Sequence, residues 1–553
     1  MKTENVKNSV EINVVSAPKG ITFIALIITI ILMLILAGAV ISLSIGENGI
    51  FKIAKYAVQK NSEETAREKL ELELGNLQAN KYTDETYNEN DYIDDYLKGK
   101  NMYVVGDIVT VDGWKFEIDR IILQIKKHLG KSKVWINQEV KAYIGKNENE
   151  KYEVNILLTI ESNKEIENII IQKPDGTTFE IIPTDKKLKI LKDMTIELDE
   201  EYNVKVKTID GEEETLKILE KSVEKIRTAE ELATFRDKVN TGLTYEGKTI
   251  EVVKDIDLRE ICYRVDGTQE KDVSWEPIGN YEDNVVNSFK GTFKGNYKTI
   301  SNLYINSIDD AYQGGLFGYL EIGKIEEIVI KNSKLIGCNV GGIAYSNDRG
   351  TIYRCKIEDS CEINITPYDG ADGMGGAGGI ISGNAGKVEE CINSAQINSD
   401  GGNYVYVGGI TSVLGEGGEI INCYNTGTIT VSNSSHMMVG GIVGEIQKGI
   451  VINCYNIGAI NAIGYTGGLV GRNGYNSSSA GTIVNSYCTT QTSCSYMYYP
   501  GKNITNSYEG QVEESILSTY ASILGNAFAN DKKNENGIWK YNNGYPILKW
   551  QNL

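Results

Sequence analysis

Ile421-Asn-Cys-Tyr-Asn-Thr-Gly427 and Ile452-Asn-Cys-Tyr-Asn-Ile-Gly458 are two copies of one motif, 31 residues apart. Each follows a glycine pair and a branched apolar residue. That mark recurs at Gly314-Gly315-Leu316, Gly341-Gly342-Ile343, Gly378-Gly379-Ile380, Gly408-Gly409-Ile410, Gly440-Gly441-Ile442 and Gly467-Gly468-Leu469. The steps between first glycines are 27, 37, 30, 32 and 27 residues. Cys355, Cys391, Cys423 and Cys454 follow the second glycine of a pair by 12 to 14 residues, and Cys488 follows the last pair after a longer insertion. Self-similarity at such a period signals a solenoid, a propeller or an array.

Short runs of Ile, Val and Thr, broken by glycine or asparagine, read as strands, and no helical period runs through the array. Four strands per propeller blade need longer repeats, so a parallel β-solenoid is predicted, about one coil per repeat. Gly441 and Gly468 are expected at corners or close contacts, where positive φ or the absence of a Cβ is needed. Asn393, Asn425 and Asn456 share one slot two residues after the cysteine and are expected to form an amide ladder along the axis. The cysteines read as small buried apolar residues stacked in their slot. A disulfide between coils fits less well, because in-register Cβ vectors run parallel.

These motifs resemble GLUG repeats. Gly-Gly-Ile-Val-Gly (440–444) and Gly-Gly-Leu-Val-Gly (467–471), each linked to Asn-Cys-Tyr-Asn, carry the resemblance. Asp255-Ile-Asp-Leu258, Trp275-Glu-Pro-Ile-Gly279, Phe289-Lys-Gly-Thr-Phe-Lys-Gly295 with Thr299-Ile300, and the closing Gly544-Tyr-Pro-Ile-Leu-Lys-Trp550 are similar to the segments that flank such arrays. Lys294 stands where the pattern has an aspartate. The resemblance covers about residues 228–553 and implies a bacterial surface protein. Some repeat-bearing relatives are immunoglobulin A peptidases. Their activity does not carry over, because two histidines, His128 and His436, leave no H-E-x-x-H.

At the other end, Ile21–Ile45 holds no charged residue. As a helix it would span ~38 Å, enough for the hydrocarbon core. Lys2, Lys7 and Lys19 would lie on its cytoplasmic side, and the rest of the chain outside. Ala37-Gly-Ala39 suits an ordinary signal peptidase, which would remove the segment. Lys19-Gly20 before Ile21-Thr-Phe-Ile24 instead resembles a prepilin leader. Prepilin peptidase would cut between Gly20 and Ile21 and leave the apolar helix in place. An amphipathic helix from about Phe51 to Leu77, with Ala66, Leu70, Leu74 and Leu77 on one face, continues it as a type IV pilin stem does. The block from Lys19 to Lys60 resembles the prepilin-like N-termini of clostridial-type Firmicutes. Ala25 stands where pilins carry a glutamate, which implies a minor or tip role rather than a shaft subunit.

Between the two ends the sequence predicts a pilin-like α+β headpiece over 79–133, with strands at Tyr103–Val111 and Trp114–Ile118 and a short helix at Ile121–Leu129. A β-sandwich of immunoglobulin-like type with five or six strands follows over 134–219. Residues 220–313 form a lead-in opened by a helix at Ser222–Lys238, residues 314–490 the repeats, and 491–553 a C-terminal cap. With 1–20 as leader and 21–78 as stem, the chain is mainly β with one N-terminal membrane helix.

Its 75 acidic residues outnumber its 56 basic ones, giving a net charge of −19 without a basic cluster, which argues against nucleic acid. No phosphate loop, serine–histidine–acid set, metal site or cofactor motif stands out. Asp369–Gly379 reads as a glycine-rich acidic surface loop, with calcium as its functional alternative. The coil acids Glu326, Glu327, Asp359, Glu389, Glu390 and Glu445 are scattered. A polysaccharide-acting enzyme would gather two carboxylates within about 5–10 Å. The expected function is therefore non-enzymatic: adhesive or pilin-like display at the membrane. Its partners would be the membrane, prepilin peptidase, pilus or pseudopilus subunits and a surface ligand of unknown kind. The polysaccharide-acting solenoid enzyme, or a secreted surface protein, is the alternative.

Overall fold

The computed structural model of the chain describes residues 50–552 apart from 84–89, 101, 121–122, 132–133, 163, 184–188, 264–272, 283–284, 308–313, 368–373, 435, 475–479, 490–503, 506–507, 513–537 and 542–545. The leader, the apolar segment and Ala25 lie outside the described residues. Within them, no helix is long and apolar enough to cross a membrane. The fold is mainly β, and two compact units divide it, Met1–Lys133 and Val134–Leu553.

In the first unit, helix α1 (Ile50–Thr83) turns Ala66, Leu70, Leu74 and Leu77 inward. They meet Ile93 and Leu97 of α2 (Asn90–Gly99) and the apolar side of an antiparallel sheet in the order β1 (Tyr103–Val105), β2 (Ile108–Val111), β3 (Trp114–Asp119), β4 (Gln124–Lys131). The helix expected at 121–129 is strand β4 instead. Two register shifts against β3 break the alternation that would have announced it.

The second unit opens with seven strands. β5 (Val134–Lys146), β6 (Tyr152–Ser162) and β9 (Lys189–Glu197) form one antiparallel sheet. β11 (Glu213–Ile218), β10 (Tyr202–Thr208), β7 (Ile166–Gln172) and β8 (Thr178–Ile181) form the other, in the orders given. Val154, Ile156, Leu158 and Ile160 alternate inward from β6, as do Val204 and Val206 from β10. The Tyr202 hydroxyl, at the start of β10, accepts from the Glu197 N–H at 3.0 Å, the contact of a tyrosine corner.

Helix α3 runs Ala229–Asn240, not 222–238. Thr228 caps it, accepting from the Glu231 N–H, while the Glu231 carboxylate reaches back to the Arg227 N–H. The residues before the cap, Lys225–Ile226, pair in parallel with Thr249–Val252 and begin the coils.

Each coil then contributes a strand to each of up to five parallel walls. One coil supplies Lys324–Glu326, Val329–Lys331, Lys334–Gly337, Asn339–Gly341 and Ala344–Asp348. The first wall has ten strands, the second nine, the third six, the fourth five and the fifth six. In-register columns fill the interior: Ile325, Ile352, Val388, Ile420, Val451 and Ile483 on the first wall, and Ile305, Leu335, Ile363, Ile397, Ile429 and Ile460 on the third. The residue after each glycine pair, from Leu316 to Leu469, is fully buried.

Glycine does not hold the left-handed corner. Between the first and second walls the φ-positive residues are Asn296, Tyr297, Glu327, Arg354, Glu390, Asn422, Asn453 and Asn485, with φ from 48° to 59°. Asparagine tolerates that region better than other residues with a side chain. Arg354 and Glu390 are bound to each other there. The glycine pairs lie between the fourth and fifth walls without positive φ. There the need is closeness: a Cβ on Gly441 would strike the Gly468 carbonyl oxygen and the Asn456 amide.

Candidate functional site

The cysteine slot opens the second wall, one residue past the left-handed corner. Cys355, Cys391, Cys423 and Cys454 are buried, free thiols. The slot does more than fill space. The Cys355 N–H donates to Cys391 Sγ at 3.4 Å, Cys391 to Cys423 at 3.3 Å and Cys423 to Cys454 at 3.4 Å. Each sulfur also donates across the corner to the carbonyl two residues back, 3.2 Å for Cys423 and Cys454. The sulfurs thus bond backbone groups that the corner takes out of the walls. Ser486, not Cys488, fills the slot in the last coil, with its hydroxyl bonded to the Cys454 N–H and the Val484 carbonyl. Cys488 pairs in register with Asn456, one slot further on. Burial pushes the thiols of Cys355 and Cys423 well above the ordinary range.

The amides of Asn393, Asn425 and Asn456 form a continuous row, Nδ2 to Oδ1, at 2.8 Å for both links. Each amide also closes onto the backbone two residues ahead, so all three are hydrogen-bonded at both ends though fully buried. Two further runs escaped the sequence reading: Asn347 to Asn384 inside the fifth wall, at 2.8 Å, and Asn422, Asn453 and Asn485 along the corner, at 3.2 Å. An insertion separates Asn347 from Asn384, whereas Asn422, Asn453 and Asn485 keep the repeat spacing one residue before the cysteine slot and were passed over.

Four of the six coil acids, Glu326, Glu389, Glu390 and Glu445, sit with cations. Glu445, 1% exposed, receives two guanidinium bonds from Arg472, at 2.6 and 2.9 Å, and Arg472 lies over the Tyr406 ring. Glu390 is held by Arg354 at 2.8 Å. Its burial nevertheless keeps its carboxyl above the usual range, against the pull of that guanidinium. Glu389 pairs with Lys387 at 2.7 Å, and Glu326 with Lys324. Glu389 ends a first-wall strand and Glu390 is at the corner, so the two do not share a strand. Among the described coil strands, Glu321 and Asp348 are the one acid pair brought into register on neighbouring strands. Arg349 reaches both, Lys290 and Ser288 hold Glu321, and the hydrogen bond from Lys290 leads in keeping the Glu321 carboxyl below the usual range.

Neither histidine joins these acids. His128, on β4, pairs with Glu63 at 3.0 Å. His436 begins a fourth-wall strand rather than lying in a loop and stacks on Tyr404 at 4.8 Å. Among the described residues no group of three or more His, Cys, Asp or Glu side chains could hold a metal ion. Asp369 and Asp372 lie outside them, and Met374–Gly378, expected in the acidic loop, is a fourth-wall strand.

The outer side of the second wall carries a feature the sequence did not suggest. Tyr424, Tyr455 and Tyr487 stack with centroids 4.7 and 5.3 Å apart and planes within 8°. The C-terminal segment lies across them. Trp539, Leu548 and Trp550 join the three tyrosines and Ile392 in one buried cluster. The Tyr424 hydroxyl bonds Gln551 at 2.7 Å, the Tyr455 hydroxyl bonds the Pro546 carbonyl, and Trp550 Nε1 donates to the Glu390 carbonyl at 3.1 Å. Trp550 also stacks on Tyr297.

No protein-family model matches the chain, and no curated protein does. Among solved structures, the catalytic domain of a GH87 α-1,3-glucanase in complex with nigerose aligns over 68% of this chain and 97% of its own. The identity is 10% and the TM-score 0.15. An overlap that low says nothing about the site, whose chemistry rests on the residues above.

Proposed function

We propose that this chain is a non-enzymatic, membrane-anchored surface protein that displays its coils outward, with the prepilin-type leader cut after Gly20 and a minor or tip role in any filament. The observation that carries the non-enzymatic reading is the ion pairing of the coil acids: Glu445 with Arg472 and Glu390 with Arg354 are consumed by structure. Amide ladders and paired charges tie each coil to the next, which suits display. Cell fractionation with a tag after Asn552 tests the placement. Membrane-bound chain cleaved by protease added to intact cells is expected, and cytoplasmic chain would refute it.

The polysaccharide-acting alternative draws on one observation, the register pairing of Glu321 with Asp348. A glycosidase needs one carboxyl of such a pair kept protonated. Glu321 is shifted the other way. Reducing sugar released from a polysaccharide panel by the native chain, and lost in Glu321→Gln and Asp348→Asn, would favour the enzyme. No release is expected.

A further inference from the structure

We propose that the tyrosine ladder is a docking groove for the chain's own C-terminal segment, and that it takes the same segment from a second copy, so that neighbouring copies join by exchanging straps. The inference stands on the ladder and the strap alone and does not need the membrane placement.

The strap's two strands, Trp539–Tyr541 and Pro546–Leu548, pair only with each other, not with any wall. Its hold on the coils is by side chains: Trp539, Leu548 and Trp550 buried against the rings, with hydrogen bonds at Tyr424, Tyr455 and Glu390. Lifting it breaks no ladder of backbone bonds and leaves every wall intact. The footprint is long. From Tyr297 to Tyr487 it crosses six coil steps, about 29 Å at the spacing of adjacent strands.

A segment that docks in this way has no means of telling its own coils from another copy's. The contacts are identical, so only the tether decides. Twenty-six residues separate Val512 from Trp539. Extended, they reach ~85 Å, well beyond the footprint and far enough for an adjacent molecule. A tether of this kind supplies an effective concentration on the order of millimolar or below. In dilute solution the strap therefore docks at home. Where copies are crowded to a comparable concentration, exchange competes, at no cost in contacts.

The test uses the whole chain in detergent. One preparation carries a fluorescent donor at Leu553, and another an acceptor on the exposed side chain of Glu416, replaced by cysteine for labelling. Energy transfer between copies is expected to rise with protein concentration towards the millimolar range. Excess synthetic peptide of residues 537–553 should abolish it, and Trp550→Ala should lower it at least tenfold. A Trp550→Ala peptide should compete at least tenfold less well. Absence of transfer at every concentration overturns the proposal. So does transfer that neither the peptide nor Trp550→Ala reduces, since that would mean association through another surface.

Discussion

At the scale of single residues, the cysteine slot is the clearest case of a position selected for what it bonds. Sulfur there accepts from the preceding coil's backbone N–H and donates across the left-handed corner. Serine does the same at 486. Cys423→Ser should therefore change stability by less than ~1 kcal/mol, whereas Cys423→Val should cost roughly 1–3 kcal/mol by stranding buried backbone groups. Thermal melting of both variants distinguishes this from packing alone, which would favour valine. Native chain should resist alkylation at Cys355, Cys391, Cys423 and Cys454 and label at all four once denatured. Mass spectrometry finding adjacent pairs bonded would contradict it. Glu390 makes a prediction of opposite sign to most carboxylates. Its folded-state pKa is raised, chiefly by burial, so the native chain holds the proton more tightly than the unfolded one. Its contribution to stability is highest below the unfolded value of ~4.3 and falls as pH rises through the folded value. Glu390→Gln should flatten that part of the stability–pH curve between about pH 4 and 7, and an unchanged curve would refute the assignment.

At the scale of elements, the repeats were legible because packing repeats: the glycine pair, the buried residue after it and the asparagine row recur with the coil. What was not legible lies where the signal is tertiary. Strand β4 has mostly exposed side chains and two register shifts, so only its pairing with β3 makes it a strand. Helix α3 starts seven residues late because Thr228 and Glu231 form a capping box while Lys225–Ile226 find a parallel partner. The closing segment was expected only as a cap, since nothing in Trp539 or Trp550 says that three tyrosines 52 to 126 residues earlier stack in a row to receive it. Of the two reasons offered for the glycine pair, close approach holds and a left-handed turn does not. Gly441→Val should accordingly force the fourth and fifth walls apart and lower stability by roughly 1–3 kcal/mol. The same change at Gly417, whose positive φ lies in an open turn, tests strain without crowding. Equal losses at both would show that crowding is not the cause at Gly441.

At the scale of the whole molecule, the sandwich and the coils belong to one unit, joined by polar contacts. Glu220 binds Lys238 of α3, the Tyr143 hydroxyl and Gln138 of β5, and Lys248 binds Asp199. A stiff extension of this kind is useful to a protein that must hold its far end away from an anchor. The central claim is that such an anchor is retained on the mature protein. The measurement that tests it most directly is the mass and N-terminal sequence of the mature chain taken from its own cells. The account predicts a chain that begins at Ile21 and fractionates with the membrane, with Gly20→Leu blocking its processing. A chain that begins at Val40 and is recovered from the medium would contradict it.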